Sequence, residues 1–253
     1  MVMKTNVNIH TLILLLLGIV ISQELKAQVG EHRNVFSVGV NGGYVLSNVG
    51  FDPSVPQNLH GGITGGLSMR YTCEKYFSTI CSIGAEINYA STGWSQNIRT
   101  ATDQPVTNSN GAIEGYSRTI NYVQIPLFAH LAWGKEQNGW NFFFQAGPQI
   151  GLYLSESTKK NYDTPNLATD GSGRSNTIIE QESMPVEKKF DYGISAGVGA
   201  EYVHTSIGRF LIEARYYYGL GNIYGSSKTD YFGKSNISNI VIKTTYLFDL
   251  IKK

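Results

Sequence analysis

On segments where apolar and polar residues alternate, nine polar side chains share one parity: Arg70, Glu86, Gln124, His130, Asp191, Glu201, Glu213, Arg215 and Lys243. Carboxylates beside guanidinium, ammonium and imidazole groups support two kinds of chemistry. They relay protons or ions, or they lock together as a structural plug. A charge in a narrow, poorly solvated space is costly unless it is paired. The plug is therefore the reading adopted, and a proton or ion path is its rival. Glu201 and Glu213 roughly flank one turn and are expected to approach each other across it. Close carboxylates repel or share a proton unless a cation lies between them. Arg215 is the expected cation, with Arg70 and Lys243 reaching across.

Hydrolytic catalysis needs a histidine beside a serine and an acid. Past the N-terminal segment the histidines are His32, His60, His130 and His204. Only His60 falls toward a long connection, its parity points inward, and Ser47 or Ser91 are the serines near it. Nothing in the spacing requires a triad, so no enzyme is expected and no catalytic residue is assigned. The glycine clusters "GGITGG" (61–66), "GVG" (197–199) and "GLG" (219–221) resemble phosphate loops, but no helical pattern follows any of them. "GKS" at 233–235 has Lys228 where a P-loop needs its first glycine. Asp52, Asp163 and Asp170 lack calcium-ligand spacing. No metal or cofactor is expected.

The elements that must position these groups are strands. "DYGISAGVGAEYV" (191–203) sends Tyr192, Ile194, Ala196, Val198, Ala200 and Tyr202 to one face and Asp191, Ser195, Glu201 and glycines to the other. Similar alternation predicts eight strands, near Val35–Val45, Leu59–Tyr71, Ser78–Thr92, Arg118–Trp133, Trp140–Leu154, Lys188–Val203, Arg209–Leu220 and Ile237–Phe248. Long connections (46–58, 93–117, 155–187, 221–236) alternate with short ones (72–77, 134–139, 204–208). That is the pattern of an outer-membrane barrel, with long loops outside the cell and short turns in the periplasm. The 155–187 segment is expected to be extracellular and mobile. Trp94 and Tyr116 are expected in the outer aromatic girdle.

A soluble barrel would carry its charges on the polar face. Here that face is mostly Gly, Ser, Asn and Gln, which suits a crowded lumen. Charged residues are 15% of the chain, well under the ~25% usual in soluble domains. The apolar face is therefore expected to meet outer-membrane lipid. The net charge of +1 provides no global field, so no nucleic-acid partner is expected.

Lys4, His10 and the apolar run "TLILLLLGIVI" (11–21), followed by "SQELKAQ", form a signal-peptide pattern. Cleavage is expected after Ala27, leaving residues 28–253 as one barrel domain. In an oxidising compartment the two cysteines matter. Cys73 and Cys81 share parity around a short turn. If that turn centres on Phe77 they oppose directly, with Cα atoms about 4.5–5.5 Å apart. A cross-strand disulfide is predicted, and two buried thiols are the alternative.

"YFSTICSIGAEINYASTG" (76–93), "NYVQIPLF" (121–128), "FFFQAGPQIGLYL" (142–154), "KKFDYGISAGVGAEY" (188–202), "GRFLIEARYYYGLGNI" (208–223) and "TTYLF" (244–248) resemble the Bacteroidetes outer-membrane β-barrel family that includes PorT-like proteins. The resemblance implies an all-β, eight-stranded antiparallel transmembrane barrel of up-and-down topology. Through its PorT branch it also implies outer-membrane or periplasmic secretion proteins as partners. The Asp-Leu-Ile-Lys-Lys tail after Phe248 departs from chains that stop at the terminal aromatic. The expected function is a monomeric structural or interaction barrel with a filled lumen. A small-solute porin is the alternative, and a lipid-modifying enzyme comes third.

Overall fold

The computed structural model describes residues 30–252, so the leader expected at residues 1–27 lies outside the described residues. Eight strands follow in order: β1 (Glu31–Asp52), β2 (His60–Tyr76), β3 (Thr79–Asn97), β4 (Gly115–Gly134), β5 (Gly139–Lys160), β6 (Phe190–His204), β7 (Gly208–Gly219) and β8 (Lys234–Lys252). Each pairs antiparallel with the next, and β8 pairs back onto β1, closing the barrel. Closure leaves no open edge, so the backbone hydrogen bonds are met within the wall.

The apolar faces point outward. Phe142 is 72% exposed and Ile83 63%, while Glu201 on the opposite parity is 1% exposed. Aromatic pairs mark the two ends of the apolar band. Trp140–Tyr202 (5.2 Å) and Phe210–Tyr246 (4.8 Å) lie at the short-turn end, and Phe190–Tyr192 (6.2 Å) at the long-loop end. From Tyr192 to Tyr202, ten residues at ~3.3 Å tilted about 40° cover roughly 25 Å, the height of an outer-membrane apolar band.

The strands run further than their alternation predicts. β1 and β5 each have 22 residues, whereas about 9–11 suffice to cross a bilayer. The upper residues are Ser, Thr and Asn on the outer face and look like loop. They remain paired because their inner partners, including Val49, Trp94 and Ile120, are buried together. β7 has only 12 residues, so the wall is tall on the β3–β5 side and low at β6–β7.

Two glycines let large rings into the narrow bore. A Cβ on Gly84 would lie 2.1 Å from the Phe128 ring, and one on Gly199 would lie 2.5 Å from the Phe143 ring. No side chain fits either place.

The first short turn corrects the cysteine expectation. Tyr76 pairs with Thr79, so Phe77 and Ser78 form the turn, and Thr72 opposes Ser82 while Glu74 opposes Cys81. Cys73 is the extra residue of a bulge. Direct opposition is lost, and both Cys73 and Cys81 are free thiols. Labelling of the denatured, unreduced protein should therefore find two reactive thiols; finding none would reinstate the disulfide. The 161–189 connection also differs from a mobile loop. It folds onto the barrel mouth, with Arg174, Gln181 and Val186 buried and a short 3-10 turn at Glu180–Glu182.

Candidate functional site

All nine polar residues of the shared parity are buried within the barrel. Apart from Asp191, the charged ones fall into two clusters rather than one. Nearer the short turns, Arg70 on β2 donates both Nη atoms to Glu201 on β6, at 2.7 and 2.9 Å. Arg209 Nη1 donates to the same carboxylate at 3.0 Å, and its Nε to Asp249 at 3.3 Å. Ser37 donates to Asp249 at 2.6 Å. The His130 Nε2 lies 3.2 Å from Arg70 Nη1, and its Nδ1 lies 3.1 Å from Gln145 Oε1. That geometry suits the tautomer with its proton on Nδ1.

The second cluster lies a few residues further up the strands. Arg215 on β7 is bidentate to Glu86 on β3, at 2.9 and 3.1 Å. The same guanidinium donates to Glu213 from Nε at 2.7 Å and from Nη2 at 3.1 Å. Lys243 donates to Glu86 and lies 3.8 Å from Glu213. Asn88 also donates to Glu86, at 2.8 Å. The Arg215 guanidinium is 5.0 Å from the Phe128 ring centroid. A planar fork that binds two carboxylates has no equivalent in a lysine.

Gln145 joins the clusters, taking its contact with His130 on one side and donating to Glu213 at 2.6 Å on the other. Each cluster pairs two cations with two acids. Arg70 and Arg209 face Glu201 and Asp249, and Arg215 and Lys243 face Glu86 and Glu213. Such neutrality is what makes buried charge tolerable.

The expected approach of Glu201 to Glu213 does not occur. Glu213 opposes Gly199, and Glu201 opposes Leu211, so each acid stays with its own cations. Asp191 stands apart, accepting from the Tyr217 hydroxyl at 2.7 Å. Gln124 is buried opposite Asn88. Arg209 and Asp249 escaped the sequence reading although their parity marks them. Asp249 follows Leu247 and Lys243 on the inner face, and β8 continues past Phe248, so the unusual tail contributes a lumen acid.

Apolar groups lie at both ends. Ile80, Ala132, Phe143, Leu211 and Leu247 pack at the short-turn end. At the other end Phe51, Trp94, Tyr116, Tyr224, Phe232 and their neighbours form a second core inside the raised wall. Trp94 and Tyr116 therefore belong to this cap, not to the lipid-facing girdle. They lie one residue out of phase with the outward row, so burial in the mouth replaces contact with lipid. Arg118 lies 5.4 Å from the Trp94 ring centroid and donates to the Tyr224 hydroxyl at 2.9 Å. Arg174 clamps the 161–189 segment, donating to Glu114 at 2.9 Å and to Glu182 at 2.6 Å. Its guanidinium also covers the Tyr162 ring at 4.7 Å.

The candidate hydrolytic residues do not assemble. The His60 ring meets the Thr119 hydroxyl at 3.0 Å. The Ser47 hydroxyl donates to the Gly93 carbonyl at 3.1 Å.

The family described as "Outer membrane protein beta-barrel domain" matches residues 26–225, and the chain belongs to that family. It is an outer-membrane β-barrel protein. Solved structures with a similar fold include the attachment invasion locus protein Ail of Yersinia pestis, at 11% identity, covering 86% of this chain and 99% of that one, with TM-score 0.33. Neisserial surface protein A is similar at 12% identity, covering 84% and 97%, with TM-score 0.37. OprG from Pseudomonas aeruginosa is similar at 10% identity, covering 87% and 98%, with TM-score 0.37. No curated protein matches the chain.

Proposed function

We propose that this protein is a closed interaction barrel. Its lumen is a structural plug, and its working surface is the raised extracellular head. The observation that carries this reading is the stack along the bore: two neutral ion-pair clusters between an apolar group at one end and an aromatic core at the other. Eight strands enclose a bore that side chains can fill. A proton or ion path would be served by a titratable chain facing water, whereas these groups are held by multiple charge-assisted bonds.

Purified protein in a planar bilayer should show no steady conductance. A stable channel of defined conductance would overturn the plug and promote the small-solute porin. Among the described residues, His60 and Ser47 do not come together as the lipid-modifying enzyme would need.

The seat of the barrel within a secretion or surface assembly rests on the PorT-like sequence resemblance. Crosslinking in the native membrane followed by affinity purification tests it. Recovery of secretion components supports that seat, and recovery of the barrel alone, as a monomer, argues against it. Mass spectrometry of the purified chain should find Gln28 as its first residue.

A further inference from the structure

The tall β3–β5 wall carries a row of outward polar side chains that the plug does not use. On β3 and β4 the apolar band ends at Tyr89 and Val123, which are register partners, and on β5 it runs past Leu152 to the exposed bulge residue Leu154. Above it the outward row continues through three rungs. Asn121 pairs with Ser91 and Ser155, Thr119 with Ser157, and Ser117 with Ser95 and Lys159. The residues between them, Tyr116, Arg118, Ile120 and Tyr122, are buried inside.

The rungs stand two, four and six residues beyond Val123. At ~3.3 Å per residue and about 40° of tilt, they lie roughly 5, 10 and 15 Å above the apolar edge. A phospholipid headgroup region is only about 5–8 Å deep on each side. It would cover the first rung and leave the upper two in water.

The chemistry of the rungs is uniform: hydroxyls, amides and an ammonium, with no carboxylate. The Asn121 amide donates to the Ser155 hydroxyl at 3.0 Å, and the His60 ring adds to the middle rung at Thr119. At the top, Ser95, Asn97, Ser117, Lys159 and Lys160 help line a shallow hollow of about 410 Å³. The wall is lopsided, since β6 begins only at Phe190 and β7 ends at Gly219.

We propose that the outer face of β3–β5 docks the phosphorylated saccharide headgroup of an outer-leaflet glycolipid. The face is continuous with the lipid-contacting surface below it. Its height exceeds a phospholipid headgroup's, so only a taller headgroup reaches the upper rungs. The two lysines at the hollow, with no acid among the rungs, complement phosphate, and the hydroxyls and amides suit sugar hydroxyls.

The test uses full-length protein carrying Cys73→Ser and Cys81→Ser, with one cysteine introduced by Ser117→Cys or, on the β1 wall, by Asn48→Cys. Maleimide labelling rates are compared in three nanodisc compositions. One is phospholipid alone, one adds lipopolysaccharide with a phosphorylated core, and one adds the same lipopolysaccharide after dephosphorylation. The expected result is a severalfold slowing at Ser117→Cys with the phosphorylated lipid, weaker slowing with the dephosphorylated lipid, and little change at Asn48→Cys. Adding Lys159→Gln should restore much of the rate. Equal slowing at both positions would mean general coverage by lipid and overturn docking. Unchanged labelling at Ser117→Cys in all three compositions would overturn it as well. Equal slowing by phosphorylated and dephosphorylated lipid would remove phosphate from the recognition.

Discussion

Arg215→Ala lowers the unfolding free energy of the barrel by about 3–5 kcal/mol, the range for removing one partner of a buried ion pair. Arg215 is the hub of the upper cluster, holding Glu86 and Glu213 at once. Both acids are buried, and after truncation only Lys243 remains to offset two negative charges. The Phe128 ring also loses its cation. The change is measured by urea-titrated unfolding in lipid vesicles. Adding Glu213→Gln should recover part of the loss, because one uncompensated charge is gone, and the pair should be strongly non-additive. A loss under about 1 kcal/mol, the usual ceiling for an exposed pair, would show that water reaches these groups and that the lumen is open.

Arg174→Ala frees the extracellular segment 161–189 without opening the barrel wall. Arg174 holds Glu114 from the 98–114 connection and Glu182 from its own segment; Arg174 and Glu114 are buried, and the Glu182 side chain is largely covered. Loss of the guanidinium leaves two carboxylates in the cap, again at a cost of about 3–5 kcal/mol if they stay buried. The cheaper outcome is for the segment to lift and let water reach them. Protease added to whole cells should then cut between residues 161 and 189 much faster than in the unmutated protein. Resistance of the membrane-spanning strands to unfolding should change little, since their ladder contacts lie elsewhere. Equal cleavage of both proteins would mean that the clamp does not hold the segment down. Arg174→Lys should rescue only partly, because an ammonium lacks the planar fork that reaches Glu114 from Nε and Glu182 from Nη1.

The two variants probe parts of the molecule that differ in how plainly the sequence announces them. Strand number, strand order and the outward direction of the apolar face were legible, because a period of two assigns each residue to a face without knowledge of its partners. The burial of Arg70, Glu86, His130, Glu201, Glu213, Arg215 and Lys243 follows from the same parity. Their partners do not. Whether Arg215 meets Glu86 or Glu201 depends on strand tilt and on which walls face each other across the bore, and no local pattern carries that information. Glu201 and Glu213 looked like neighbours along the chain, and register set them apart.

The remaining differences have similar causes. One bulge residue displaced Cys73 from Cys81, since a single insertion shifts the pairing beyond it. The upper strands looked like loops because polar outer residues and short apolar runs do not announce pairing. Trp94 and Tyr116 became part of a core only when the 161–189 connection and the 220–233 connection, which carries Phe232, closed over them. The sequence by itself determined an inside and an outside, because the alternation of side chains is local and covalent. Only the tertiary structure decided which charges neutralise which and what covers the mouth, because the contacts that cross the bore join residues far apart in the chain, such as Arg215 with Glu86 and Arg70 with Glu201. They exist only once β8 has closed onto β1.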